Sequence, residues 1–230
     1  MLLAIDTSTR NAGVALGHEG RVLYSRSWFS TVNHSVELMP AVAQTLESQG
    51  LKVAGLDGVA VALGPGGFSA LRVGMSVAKG LAAAGRKPLV GVGSLDMEAH
   101  AFLASGLPVC ALLDAGRGEW ASALFGLDGL RIRDDLVASP EEILDAITGT
   151  TLFCGEGVDG RGDLIKERLG SWAVVVGGAT ACLRLHSLVS MAQDRLDQGD
   201  VDDLATLQPE YLRMPSIGAP KQRERLRQGS

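Results

Sequence analysis

The sequence predicts an α/β protein made of two β-β-β-α-β-α halves that face each other across a cleft. Three observations carry that reading. The order of apolar runs, turn signals and helical periods in the first half repeats in the second. Asp114 lies 108 positions after Asp6, and at the same offset Ala4-Ile5-Asp6 falls on Leu112-Leu113-Asp114, Ala15-Leu16 on Ala123-Leu124, and Gly20 on Asp128. Each half thus opens with a buried strand that ends in an aspartate, and ligands of open α/β sheets sit outside such carboxyl ends.

In order, Leu2 to Ile5 reads as a buried strand, then Gly13 to Leu16 and Arg21 to Trp28 as two more, joined at the turn His18-Glu19-Gly20. A helix is expected from about Asn33, a good N-cap, to Ser48, with Val36, Met39, Ala43 and Leu46 on one stripe. Pro40 should kink that helix or shift its start. A strand at Gly58 to Leu63, a helix at Phe68 to Ala84, a strand at Pro88 to Val92 and a helix at about Ser94 to Ala104 complete the half. The second half runs as strands Pro108 to Leu113, Glu119 to Phe125 and Gly129 to Asp134, with Asp128-Gly129 as the turn between the last two. There follow helix Pro140 to Ile147, strand Thr151 to Cys154, helix Asp163 to Leu169, strand Ala173 to Val176 and a longer helix from about Ala179 to Asp197. The divisions are therefore 1–105, 106–200, and a segment 201–230 that returns to the first half and ends in a basic tail, Lys221 to Arg227, expected to be disordered.

Composition narrows the function. The 230 residues are 46% hydrophobic and 20% charged, ordinary for a globular chain, and the net charge of -5 argues against gripping nucleic acid alone. Cys110, Cys154 and Cys182 are widely spaced without a C-x-x-C pair and read as buried, reduced thiols. No signal-like leader or membrane-length apolar run occurs, so a soluble, cytoplasmic protein is expected.

The glycine run Gly64-Pro65-Gly66-Gly67 between strand and helix could aim backbone N–H groups, with the dipole of the following helix, at a phosphate. It lacks the lysine of a P-loop, and a ligand-free strand-to-helix turn reads equally well.

Ala4-Ile5-Asp6-Thr7-Ser8-Thr9, His34-Ser35 with Pro40, Gly64-Pro65-Gly66-x-Phe68, Leu71-Arg72-x-Gly74, Ala78-Lys79-Gly80-Leu81 and Pro209-x-Tyr211-Leu212-Arg213 resemble the ASKHA superfamily of actin and sugar kinases. They resemble the TsaB family within it more closely, densely over Leu2 to Leu95 and again at Pro209 to Arg213. Departures are Gly67-Phe68-Ser69-Ala70, where the family usually has Ser-Phe-Thr-Gly, and Asp114-Ala115-Gly116-Arg117, which shifts the family's arginine by one position. The resemblance implies a duplicated actin-like (RNase H-like) fold. It also implies a non-catalytic small subunit of the bacterial machinery for N6-threonylcarbamoyladenosine (t6A) in tRNA, one that forms a heterodimer with TsaD, supports recruitment of TsaE, meets tRNA only indirectly, and can form a homodimer when alone.

The residues can be checked for the chemistry of a related transferase. By resemblance, TsaD holds its metal with a helical His-x3-His pair and a distant aspartate. Here His18, His34, His100 and His186 include no two within fifteen residues of each other, so no metal seat of that type and no catalytic residue is expected. His34, near a helix start, reads as a capping or surface residue. Asp6, with Gly64, Gly66 and Gly67, is the candidate nucleotide site, leaving ATP or ADP with Mg as the only cofactor to consider. Asp6-Thr7-Ser8 and Asp114-Ala115-Gly116 read more readily as Asx turns, which would close a hairpin without any ligand. Val176-Gly177-Gly178-Ala179 is the one candidate for a second nucleotide loop.

The helix Phe68 to Ala84 should bury Leu71, Met75, Ala78 and Leu81 and is nearly all small or apolar around its remaining circumference. Arg72, Gly74, Ser76, Ala78, Lys79 and Ala83, with Leu38, Ala41 and Thr45 of the preceding helix, are the expected partner interface, unless the chain's own second half covers them. The competing reading is an autonomous ATPase or small-molecule kinase that uses Asp6 and the glycine turn. A peptidase lacks both metal pair and nucleophile.

Overall fold

A computed structural model describes residues 1–31, 33–177 and 180–213, with no side-chain description for Thr180 and Ala181. The tail Lys221 to Arg227 and part of the Val176–Ala179 loop lie outside the described residues. The first sheet has the order β3-β2-β1-β4-β5, built from β1 (Leu2–Asp6), β2 (Asn11–His18), β3 (Arg21–Phe29), β4 (Gly58–Gly64) and β5 (Leu89–Gly93). The second has the order β10-β9-β6-β7-β8, from β6 (Val109–Gly116), β7 (Glu119–Phe125), β8 (Leu136–Ala138), β9 (Thr151–Cys154) and β10 (Ala173–Val175). Read from opposite edges, the two orders are the same. In each, the first strand (β1 or β6) pairs antiparallel with the next strand and parallel with a later one.

β1 is buried along its whole length, so its alternating side chains serve two cores. Leu3 and Ile5 meet α1 (His34–Ser48) and α2 (Phe68–Gly85) through Leu38, Val42, Leu46, Met75 and Ala82. Leu2 and Ala4 meet Leu185, Leu188, Val189 and Ala192 of α6 (Thr180–Asp197). β2 is cut for α6: a Cβ on Gly13 would stand 2.7 Å from Leu185 Cδ1, and one on Gly17 2.3 Å from Val189 Cγ1.

The last helices cross between the halves. The final helix of the second half, α6, covers the first sheet. α3 (Ser94–His100) turns Leu95 and Ala99 to the second sheet and Met97 to the first. Residues 106–200 are therefore not a packing unit. α4 (Pro140–Asp145) and α5 (Gly162–Leu169) add Ile143, Leu144 and Ile165 to the second sheet's other core.

Two local expectations change, at Gly129 to Asp134 and in the rotation of the first helix, and the start of that helix is settled despite Pro40. The run Gly129 to Asp134 is not a strand: Asp128 Oδ1 accepts from Leu130 N at 3.0 Å, Phe125 and Arg131 form a lone bridge, and the third strand is β8. Its alternating Leu130 and Ile132 are exposed rather than buried. Pro40 leaves the start of α1 at His34, with Asn33 Oδ1 capping Ser35 N at 3.0 Å. Pro40 and Val36, whose carbonyl loses its helical donor, are both exposed, so solvent can serve that carbonyl. Finally, α1 is rotated relative to its expected stripe. Leu38, Ala41, Val42, Thr45 and Leu46 face inward, while Val36, Met39 and Ala43 face out.

Residues 201–213 run back over the first half. Asp202 N donates to Leu89 O at 2.9 Å and Glu210 N to Leu63 O at 2.8 Å. An open groove of about 670 Å3 separates the halves, lined by Gly91, Asp96, Arg131, Asp135, Asp202 and Glu210 among others, and the Arg131–Asp96 pair crosses it at 2.6 Å.

Candidate functional site

Asp6 ends β1 with 1% exposure, and its carboxylate is already engaged. Oδ1 accepts from Ser8 N at 2.9 Å and Ser8 Oγ at 2.6 Å, an Asx turn, while Oδ2 accepts from Arg184 Nε at 2.8 Å. Arg184 is fully buried on α6 and uses all five of its N–H donors. Nε goes to Asp6, Nη1 to Glu98 Oε1 at 3.1 Å and to Glu156 Oε1, and Nη2 to Thr9 Oγ1 at 3.0 Å and Asn11 O at 2.6 Å. Thr9 Oγ1 in turn donates to Glu156 Oε1 at 2.7 Å, tying the turn after β1 to the second half. One guanidinium therefore serves three carboxylates. Burial pushes the Glu98 carboxyl up to about 7; Arg184 opposes the shift, and the charges of Glu156 and Asp6 reinforce it. Glu98 Oε2 has no hydrogen-bond partner among the described residues.

Sequence reasoning singled out Asp6 and missed Arg184, Glu98 and Glu156. A signal for Arg184 was present: it stands one turn before Leu188 on the stripe Leu185, Leu188, Val189, Ala192, so the helical period places its long cation on the buried face.

The glycine turn is filled by the chain itself. Gly67 N donates to Ser8 O at 2.8 Å, and a Cβ on Gly66 would stand 2.2 Å from that same oxygen. Gly64, at φ +116°, lies against the carbonyl of Glu210, 2.5 Å from where its Cβ would be. The bare backbones demanded by Gly64 and Gly66 thus admit two carbonyl oxygens rather than leaving an open nest of N–H groups. A magnesium-bound nucleotide does not fit the residues present: the carboxylate that would hold the cation's waters is bound to a guanidinium, and carbonyls crowd the turn where phosphates would lie. Asp114, the counterpart in the second half, is exposed, and its Oδ1 accepts from Gly116 N at 2.7 Å in another Asx turn. Arg117 sits at the tip of that turn with φ +58°, and beyond it Arg213 pairs with Glu119 at 2.5 Å.

His34 Nε2 lies 3.0 Å from Thr9 O and ties the first residue of α1 to the β1–β2 turn. His18, His100 and His186 sit on β2, α3 and α6, and among the described residues no group of three or more His, Cys, Asp or Glu could hold a metal ion. Burial pushes the Cys110 thiol up to about 12 and raises that of Cys154, whereas Cys182 is exposed, against the expectation that all three are buried. No helix of the described chain is long and apolar enough to cross a membrane.

The expected partner face divides in two. Leu38, Ala41, Thr45, Gly74 and Ala78 are buried against the first sheet and each other, so they cannot offer side chains to another protein. A Cβ on Gly74 would lie 2.3 Å from Thr7 Oγ1. Arg72, Ser76 and Ala83 are exposed on α2, joined by Gly80, and Lys79 is half-buried. Beside them α1 exposes Ala43 together with Val36 at 63% and Met39 at 45%, apolar side chains on the solvent side of a helix.

Two sheets of one strand order, with end helices crossing between them, define an actin-like protein of the ASKHA class. The family model described as "TsaD: tRNA N6-adenosine threonylcarbamoyltransferase" matches residues 29–210. The tRNA threonylcarbamoyladenosine biosynthesis protein TsaB of Bacillus subtilis (strain 168) is 30% identical over 225 residues, 95% of this chain and 96% of that protein. A tRNA N6-adenosine threonylcarbamoyltransferase of Anaeromyxobacter dehalogenans (strain 2CP-C) is 38% identical over 160 residues, 58% of this chain but 47% of its own length. Among solved structures, YeaZ from Pseudomonas aeruginosa superposes with a TM-score of 0.76 at 29% identity, covering 92% of this chain and 99% of that one. The chain belongs to the TsaB family, within the wider group that the TsaD model describes.

Proposed function

We propose that this chain is a cytoplasmic, non-catalytic subunit of the t6A machinery. It pairs with a TsaD-family transferase through the outer faces of α1 and α2, supports recruitment of TsaE through that complex, and meets tRNA only through its partners. The observation that carries the non-catalytic reading is Arg184. Its five donors are satisfied inside the fold, and Asp6 is bound to it instead of facing a ligand. An autonomous ATPase would need that carboxylate and an open glycine turn, and Ser8 and Glu210 fill the turn.

Docking is supported by the outer surface of the α1–α2 pair. Ser76, Gly80 and Ala83 allow a second helix backbone to come close, and Val36 and Met39 provide apolar area at the side. A transferase of related fold would present a comparable helix pair, giving a pseudo-symmetric contact. The test is co-purification with the transferase from the same organism. Ala83→Arg should keep the wild-type circular dichroism spectrum and lose the partner; retained binding would refute the proposed face. Formation of t6A by this chain without a transferase would refute the non-catalytic role.

A further inference from the structure

We propose that Arg72 is the charged anchor of the docking face, a guanidinium held in place by Phe68 and Tyr211 to receive a carboxylate of the partner subunit. This rests on the docking reading above and names the chemistry that the partner must bring.

The eighteen residues of α2 carry two cations, Arg72 and Lys79, and no acid, in a chain whose net charge is -5. Arg72 stacks its guanidinium 3.9 Å from the centroid of the Phe68 ring and donates from Nε to Tyr211 Oη at 3.1 Å. Tyr211 lies against Phe68 with ring centroids 4.9 Å apart. One face and the Nε edge are thus committed. The two Nη groups make no hydrogen bond to any described residue, and the side chain is exposed.

Arg72, Ser76, Gly80 and Ala83 are spaced by three or four residues and share one face of α2, so the open fork stands at the N-terminal end of the small-residue path. A planar fork with two free amino groups matches a carboxylate with two oxygens, and stacking on an aromatic ring removes much of the freedom that such a contact would otherwise have to freeze. A nucleic-acid phosphate has the same donor requirement, but the surroundings disfavour a polyanion. Asp203 lies within electrostatic reach of Lys79, and Glu210 immediately precedes Tyr211. Tyr211 and Phe68 are positioning residues: they fix Arg72 without touching the partner's carboxylate themselves.

The experiment measures the dissociation constant of the full-length chain with its TsaD-family transferase by calorimetry, at low and high salt. Arg72→Gln should weaken the complex about thirtyfold and flatten its salt dependence. Arg72→Lys, which keeps the charge but loses the fork and the stack, should still weaken it about tenfold. Tyr211→Phe should weaken it about threefold in the wild-type background and not at all beside Arg72→Gln, a non-additivity that general loss of stability would not produce. Wild-type affinity in both Arg72 variants, with Ala83→Arg inactive, would overturn the anchor and leave the docking face standing. Wild-type affinity in all of them would remove the face itself. If Arg72→Gln lost affinity for tRNA while keeping the transferase, the anchor would be overturned in favour of a phosphate contact.

Discussion

Replacing Glu98 by glutamine tests the cluster that joins the two halves, and the structure sets the size of the effect. Glu98 is 2% exposed, shares one guanidinium with Asp6 and Glu156, and has its carboxyl pushed from 4.5 up to about 7. Between those values the folded chain keeps a proton that the unfolded chain has already released. Folding then binds protons, and the contribution of Glu98 to stability falls as pH rises. That contribution is fully present below about pH 4.5, declines to about pH 7 and stays lost above it, a change of about 3 kcal/mol at 1.4 kcal/mol per pKa unit.

Glutamine keeps the acceptor that faces Arg184 Nη1 but cannot ionise. Glu98→Gln should therefore gain about 3 kcal/mol relative to wild type when both are moved from about pH 4.5 to about pH 8. Urea denaturation at intervals across that range gives both stabilities, and Glu210 and His100, which are also shifted, act equally in both proteins and cancel. Parallel pH profiles for the two proteins would show that Glu98 releases its proton at an ordinary carboxylate pH, and the argument from burial and charge crowding would fail.

Other outcomes follow from the same contacts. Arg184→Met should cost about 4 kcal/mol in urea titration by leaving Asp6, Glu98 and Glu156 without their shared cation, whereas a near-neutral result would show that solvent reaches the cluster. Gly66→Ala drives a methyl into Ser8 O and should cost about 3 kcal/mol, measured the same way, while Gly80→Ala, with open space around its Cα, should be neutral or stabilising. Native protein should release colour from a thiol reagent at Cys182 alone, and Cys110 and Cys154 should react only after denaturation.

Much of the fold was legible in the chain because its signals are local. The apolar strand runs, the Asn33 cap, the Asx turn at Asp6 to Ser8 and the repeated order of elements in the two halves are read from residues close in sequence, and they survive in the structure. What tertiary structure alone decided was which of two apolar stripes faces inward and which distant groups share a charge. In α1, Val36, Met39 and Ala43 have the same helical period as Leu38, Ala41 and Thr45, and only the first sheet's position selected the second set. The sequence left Asp6 open between an Asx turn and a ligand-holding carboxylate, and only the fold brought Arg184, 178 residues away, to lie against it. Periodicity fixes the spacing of side chains along an element but not its rotation or its neighbours. Those follow from long-range packing, in which α6 reaches the first sheet through the bare backbones of Gly13 and Gly17 and carries Arg184 to the end of β1.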